Sequence, residues 1–129
     1  MSDTQRILAC VTVQRACEKM ILAGAKLAKE VDGQLCVLHV AREGQDLLGY
    51  PVEGEAMEYL YRICTEHNAE MTVLRAKDVV DAIAKFAIKK EISVILIGAA
   101  KKDSDRNIAQ SLTSKLPGMI FRPIYADEA

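Results

Sequence analysis

A glycine, two lysines, an arginine and two serines fall within GAAKKDSDRNIAQS, residues 98–111. They follow the most apolar run in the chain, ISVILI (92–97). This set could hold a phosphate. Backbone N–H groups at a helix start favour an anion. Lys101, Lys102 and Arg106 would add positive charge, Ser111 a hydroxyl donor, and Gly98 room for close approach to the backbone. The plainer reading is that Gly98 ends a strand and KKDSDR is a solvated, charge-mixed loop. One glycine stands where a phosphate cradle usually has several.

The second chemistry is that of thiols. Cysteines occupy positions 10, 17, 36 and 64, with no Cys-x-x-Cys pair and only two histidines. That spacing offers no metal site. Cys10 ends an apolar run and Cys17 falls in the first turns of the following helical pattern. A helix N-terminus lowers a thiol pKa, so an enzyme or phosphocysteine carrier using Cys10 or Cys17 is an alternative function. Against it, a tyrosine-phosphatase loop needs five residues between cysteine and arginine, and Cys10 and Arg15 have four. Small core cysteines explain the same positions. His39 and His67 read as core-edge residues. No serine–histidine–acid or paired-carboxylate arrangement is present, so binding is favoured over catalysis.

The elements that must position these residues alternate along the chain. ILACV (7–11), LCVLHV (35–40), MTVLRA (71–76), ISVILI (92–97) and MIFRPIYA (119–126) read as strands. The first, second and fourth are apolar almost throughout, as strands buried on both faces are. Between them the apolar period is helical. The stripes are Met20, Ala23, Gly24, Leu27, Ala28, Val31; then Ala56, Leu60, Ile63, Cys64, His67; then Val80, Ile83, Ala84, Ala87, Ile88; then Ile108, Leu112, Leu116. Asp78 is placed to cap the third helix, and Pro117-Gly118 to end the fourth. This alternation predicts an α/β domain, a doubly wound five-stranded parallel sheet with helices on both faces, Rossmann-like. The more apolar fourth run belongs in the centre and Pro123 at an edge, giving the order 3-2-1-4-5.

In such a sheet a ligand binds beyond the carboxyl ends of the strands where the order reverses. That point lies between the first and fourth strands, where Thr12-Val13-Gln14-Arg15 meets residues 98–111. A segment of three glycines and a proline, residues 42–55, follows the second strand without helical period and could cover the crevice.

Composition narrows the setting. The 129 residues amount to one domain, 1–129, and 50% hydrophobic content is enough for a core. With 17 basic against 18 acidic residues the net charge is −1, so no nucleic-acid partner is expected. No run has the length of a membrane span or the form of a signal peptide. The expectation is a cytoplasmic protein with reduced thiols and no membrane partner.

RILACVTVQRACEKMILAGAKLAKEVDGQLCVLHV resembles the opening of the universal stress protein family, with Ala25-Lys26-Leu27-Ala28 in its first helix and His39-Val40 ending its second strand. DVVDAIAKFAIKKEISVILIG is similar to that family's third helix and fourth strand, and SLTSKLPGMIFRPIYA to its last helix and strand. The resemblance spans nearly the whole chain apart from 42–55. It implies a homodimer, often through the last strand, and a stress-response role. The family's ATP-binding members carry Gly-x2-Gly, about nine residues, then Gly-Ser/Thr. Gly98 fits the first glycine and Ser111 the final hydroxyl. Lys101 stands at the second glycine, Gln110 at the third, and Thr12 where those members have an aspartate. This nucleotide-binding motif is degenerate, so the chain is closer to members that do not bind ATP in the usual way. ATP or another adenine nucleotide remains the alternative, with no cofactor assigned. A different small-molecule ligand or a protein partner also stays open. The candidate ligand residues are Thr12, Gln14, Val40, Gly98, Lys101 and Ser111.

Overall fold

The computed structural model describes residues 5–11, 14–99 and 103–125. They form β1 (Arg6–Cys10), α1 (Gln14–Glu30), β2 (Gln34–Arg42), α2 (Glu53–Glu66), β3 (Glu70–Ala76), α3 (Val79–Lys89), β4 (Val94–Ala99), α4 (Asp103–Lys115) and β5 (Ile120–Tyr125). The strands make one sheet in the order β3-β2-β1-β4-β5. Every neighbouring pair is parallel. This is the order expected from the apolar runs.

Alternation along each strand divides the core. Leu35, Val37 and Ala41 of β2 join Ile7 and Ala9 in a cluster with Met20, Ile21, Ala56 and Leu60, on the α1–α2 side. Cys36 and Leu38 join Leu8 and Ile95 in a second cluster with Ile83, Ala87, Leu112 and Leu116, on the α3–α4 side. A period-2 strand buried on both faces must be apolar at every position. That is why β1, β2 and β4 sit inside. β3, carrying Glu70, Thr72 and Arg75, is half-buried and takes one edge. β5 takes the other, and there Pro123, in register with Ile97, meets no second neighbour that would need its missing N–H.

Three helical stripes need correction. In α1 the buried face runs through Cys17, Met20, Ile21, Gly24 and Ala28, while Val31 lies past the helix end and is exposed. In α3, Phe86 is buried and Ile88 is 66% exposed, because the inward face turns through Ile83, Ala84 and Ala87. His67 does not extend the α2 stripe but caps that helix. The Asp78 cap is present, its carboxylate accepting from the Asp81 amide at 3.0 Å. β4 begins at Val94, two residues after the start of the apolar run.

Three helices stop in the same way. Asp32, Asn68 and Glu91 take left-handed φ of 52°, 54° and 54°. The next amide then reaches back five residues: Gly33 to the Ala28 carbonyl at 2.7 Å, Ala69 to Cys64 at 2.8 Å, Ile92 to Ala87 at 2.9 Å. These are Schellman closures. Each turns the chain directly into the next strand.

Residues 42–55, expected to lack structure, hold a single 3₁₀ turn over Leu47–Gly49 and the first turn of α2. Two leucines account for this. Leu47 and Leu48 are both buried and fasten the segment to the α1–α2 core.

Candidate functional site

The sheet order puts β1 between β2 and β4, so the reversal falls at the β1–β4 boundary, as expected. Val11 leaves β1 with its amide bonded to the Leu38 carbonyl at 2.9 Å. Gln14 is the first residue of α1. Thr12 lies outside the described residues, as does Lys101.

Gly98 lies in β4, paired in register with Ile124 of β5. Its φ is ordinary, and a Cβ built there meets no atom of the described residues within 4 Å. The fold therefore does not require glycine at this position. The space in front of its backbone is open at the carboxyl edge of a central strand.

Ser111 lies within a helix. α4 starts at Asp103, so Ser111 stands eight residues in, roughly 12 Å along the axis at 1.5 Å per residue. Its amide is an interior helical donor rather than one of the free N–H groups of the first turn. The residue is exposed.

Val40 is brought to a cleft of about 860 Å³ at the carboxyl ends of β2 and β3. Val40, Val79 and Val80 form an apolar wall, and Arg42, Gln45, Lys77, Asp46 and Asp78 supply polar groups of both signs. Gln45 is held in place from both sides. Its side-chain oxygen accepts from the Arg42 amide at 3.3 Å, and its carbonyl accepts from Arg75 Nη1 at 2.9 Å. Arg75 in turn pairs with Glu53 of α2. The cleft is thus formed on the β2–β3 side, while Gln14 and Gly98 belong to the β1–β4 side. Of the four candidates among the described residues, Val40 is the one in the cleft's lining.

His39, expected as a core-edge residue, is held inside the fold by two hydrogen bonds. It is 4% exposed and sits on the α1–α2 face of β2. Its Nδ1 lies 2.9 Å from the Val11 carbonyl oxygen, and the Leu48 amide donates to its Nε2 at 3.1 Å. A carbonyl can only accept and an amide can only donate, so the ring is the neutral tautomer carrying its proton on Nδ1. Burial holds its pKa below the ordinary 6.5; the Val11 carbonyl opposes that, and the positive charge of Arg75 adds to it. The available signal was a lone polar residue inside a strand buried on both faces.

The thiols are not activated. Burial pushes Cys10 up to about 12. Burial, with Cys64 and Glu18 nearby, pushes Cys17 up to about 12. The helix-start effect expected at Cys17 is outweighed because its side chain is fully inside the α1–α2 core. Among the described residues no group of histidine, cysteine or acidic side chains could hold a metal ion, and no helix is long and apolar enough to cross a membrane.

A family model described as the universal stress protein family matches residues 3–116. Among solved structures, a universal stress protein from Archaeoglobus fulgidus is 22% identical with a TM-score of 0.69, covering 93% of each chain. A universal stress protein in complex with cAMP is 14% identical with a TM-score of 0.67, covering 98% of this chain and 100% of the other. The Archaeoglobus fulgidus universal stress protein in complex with dAMP is 18% identical with a TM-score of 0.67, covering 96% and 99%. At these identities the likeness speaks to fold. A putative sensor protein KdpD of Synechocystis sp. is 29% identical over 98 residues, 76% of this chain, and the chain spans 26% of that relative's length. The family match takes in all four helices and the first four strands of the wound sheet, and the chain belongs to the universal stress protein family.

Proposed function

We propose that this chain is a ligand-binding regulatory domain of the stress response that acts by binding rather than catalysis. Its ligand is a small adenine nucleotide held at the carboxyl edge of the sheet. The carrying observation is the cleft at the end of β2, walled by Val40, Val79 and Val80, with Arg42 and Lys77 set among Asp46 and Asp78 at its edge. An apolar wall with a few convergent polar groups suits a flat base bearing an anionic substituent. Relatives of the same fold are in complex with cAMP and dAMP, which supports the same ligand class here. The open backbone at Gly98 offers room for the ligand's far end.

The usual triphosphate hold is reduced. Lys101 and Gln110 replace glycines, and Ser111 lies inside α4 rather than at its start. A monophosphate or cyclic nucleotide is therefore favoured over ATP with magnesium. We take residues 1–129 to act as one cytoplasmic domain that pairs with a second copy, with the free edge of β5 as the contact.

The test is a thermal-shift and calorimetric titration with cAMP, AMP and ATP, the last with and without magnesium. A ligand at 100 times its Kd adds about 2.7 kcal/mol of apparent stability. The expected result is a shift with cAMP or AMP and no further gain from ATP with magnesium. Absence of any shift at millimolar nucleotide would remove the adenine ligand and leave a protein-partner role. Light scattering on the same samples reads the dimer.

A further inference from the structure

We infer that His39 is the positioning residue of the ligand edge: one neutral imidazole ties the exit of β1 to the β2–α2 segment, and its protonation releases the Leu47–Gly49 turn. The nucleotide part of this inference rests on the function proposed above. The clasp itself rests on geometry alone.

The two bonds reach opposite sides of the edge. Nδ1–H donates to the carbonyl of Val11, the last described residue before Thr12 and Val13. Nε2 accepts from Leu48, nine residues on from His39 in the segment that follows β2. Val40, the wall of the cleft, is the next residue along the same strand. Gly44, Gln45, Asp46 and Gly49, from the same segment as Leu48, also line the cleft. One ring therefore sets the separation between Val11, at the exit of β1, and the cleft's outer rim.

Protonation affects the two bonds unequally. A proton added at Nε2 leaves the Val11 bond intact, since Nδ1 still donates. It removes the lone pair that Leu48 uses and sets an N–H against an N–H. Leu48 is the weak point on which to apply this. It is a leucine held at φ 54°, a conformation that side-chain-bearing residues rarely adopt, so the turn depends on what secures it. The cationic ring would also be buried. The charge that acts on the ring, that of Arg75, disfavours the cation, and Asp46, in the same cleft lining, lies on the exposed rim. Arg75 of β3 is itself positive and pairs with Glu53 of α2. Glu18 of α1 accepts from the Tyr59 hydroxyl at 3.4 Å. Cys10 of β1 stays a neutral thiol.

The experiment is amide hydrogen exchange with imidazole ¹⁵N spectroscopy, at about pH 7.5 and about pH 5, bracketing an ordinary histidine titration. The expected spectra show the Nδ1–H tautomer at the higher pH. The protection factor of Leu48 falls about tenfold at the lower pH relative to that of Val37 on the same strand. His39→Gln retains a non-titrating acceptor and keeps the two amides in a constant ratio. His39→Phe loses Leu48 protection at both pH values, and if it does not fold, the wild-type and glutamine proteins decide the matter. An Nε2–H tautomer, or Leu48 and Val37 falling in parallel in the wild type, overturns the clasp. Cyclic AMP is the ligand probe because its phosphodiester does not titrate in this range. Its affinity weakens about tenfold at the lower pH in the wild type and not in His39→Gln; equal affinities would overturn the link to the ligand edge. If cyclic AMP binds at neither pH, the nucleotide reading fails and the exchange data still judge the clasp.

Discussion

Arg6 Nη1 donates to the carbonyl oxygen of Lys90 at 2.9 Å, joining the first residue of β1 to the end of α3 across 84 positions of sequence. The same carbonyl belongs to the helix C-cap, one of the groups a helix leaves without an internal partner. The backbone adds to the link, with the Ser93 amide bonding the Arg6 carbonyl at 2.8 Å. Arg6→Met keeps the aliphatic stem and removes the guanidinium, so it should cost about 1–2 kcal/mol in urea unfolding, the range for a half-exposed, charge-assisted bond. The nearby Lys90–Glu70 pair at 3.0 Å is solvent-washed, with 34% and 41% of its side chains exposed. Glu70→Gln should therefore change stability by no more than about 0.5 kcal/mol. Equal losses in the two variants would show that the amino edge is held by charge alone.

Two glycines separate fold from function. A Cβ at Gly33 would stand 2.6 Å from the Gln5 carbonyl oxygen and 3.1 Å from Ile7 Cδ1. The carbonyl is backbone and cannot swing away, so Gly33→Ala should lose about 1–3 kcal/mol. Gly98→Ala meets open space at an ordinary φ. It should leave unfolding unchanged or raise stability by about 0.5 kcal/mol, while weakening nucleotide binding by filling the space in front of β4. A Gly98→Ala protein that binds cAMP as the wild type does would remove Gly98 from the ligand edge.

The sheet order was legible because burial on both faces leaves a direct record in composition. ISVILI has no polar position beyond Ser93, whereas MTVLRA carries Thr72 and Arg75 and went to an edge. Helix faces were less legible. Phe86 and Ile88 are both apolar in α3, and only the packing of α3 on α4 and β2 decides which turns inward. Val40, expected to end the second strand, lies two residues before β2 stops at Arg42 and lines the cleft. The start of α4 was not legible, since Pro117-Gly118 marks where that helix stops and the charged run 101–106, within which it begins, carries no comparably strong sign. The role of His39 was hidden for a different reason. Its partners are the main-chain atoms of Val11 and Leu48, and main-chain atoms leave no residue-type signature.

The three left-handed helix ends differ in how well their residues suit the conformation. Asn and Asp enter it with local help from their short polar side chains, and glutamate has no such advantage. Glu91, at φ 54°, is exposed. Glu91→Gly should raise stability by about 0.5–1 kcal/mol, the release of left-handed strain net of the extra freedom glycine gives the unfolded chain. Asn68→Gly should gain less. The comparison is a pair of urea midpoints, and a loss on Glu91→Gly would mean that the side chain contributes a contact of its own.

The thiols set an alkaline limit. Cys10 and Cys17 are pushed from 9.0 to about 12 and Cys64 to about 11, chiefly by burial. A raised acid pKa means that the folded state prefers the neutral form. The stabilisation is complete below the unfolded pKa and is lost as pH rises above about 9 toward the folded values. Unfolding midpoints should therefore fall above about pH 9. At about pH 8, a thiol reagent should modify the native protein far more slowly than the urea-unfolded chain. A native cysteine that reacts at the unfolded rate would reopen thiol chemistry as a function.

The acid limb carries the opposite sign. His39 has its pKa depressed below 6.5, by burial first and then by the charge of Arg75. A depressed base is kept neutral by the fold, so the unfolded chain takes up the proton first. Its contribution is complete above about pH 6.5 and declines as pH falls through the lower folded value. Asp81 also sits below its ordinary 3.8, held there by its hydrogen bond and charge interaction with Lys85 and by the charge of Lys115. That contribution is present above about 3.8 and is lost only at lower pH. The two groups therefore act in separate windows. Urea midpoints measured from about pH 7.5 down to about pH 3 should show a first decline that His39→Gln removes. A second decline at the acid end should persist in His39→Gln and shrink in Asp81→Asn. A first decline of the same size in His39→Gln would assign it to another group and take from His39 its part in the acid sensitivity of the fold.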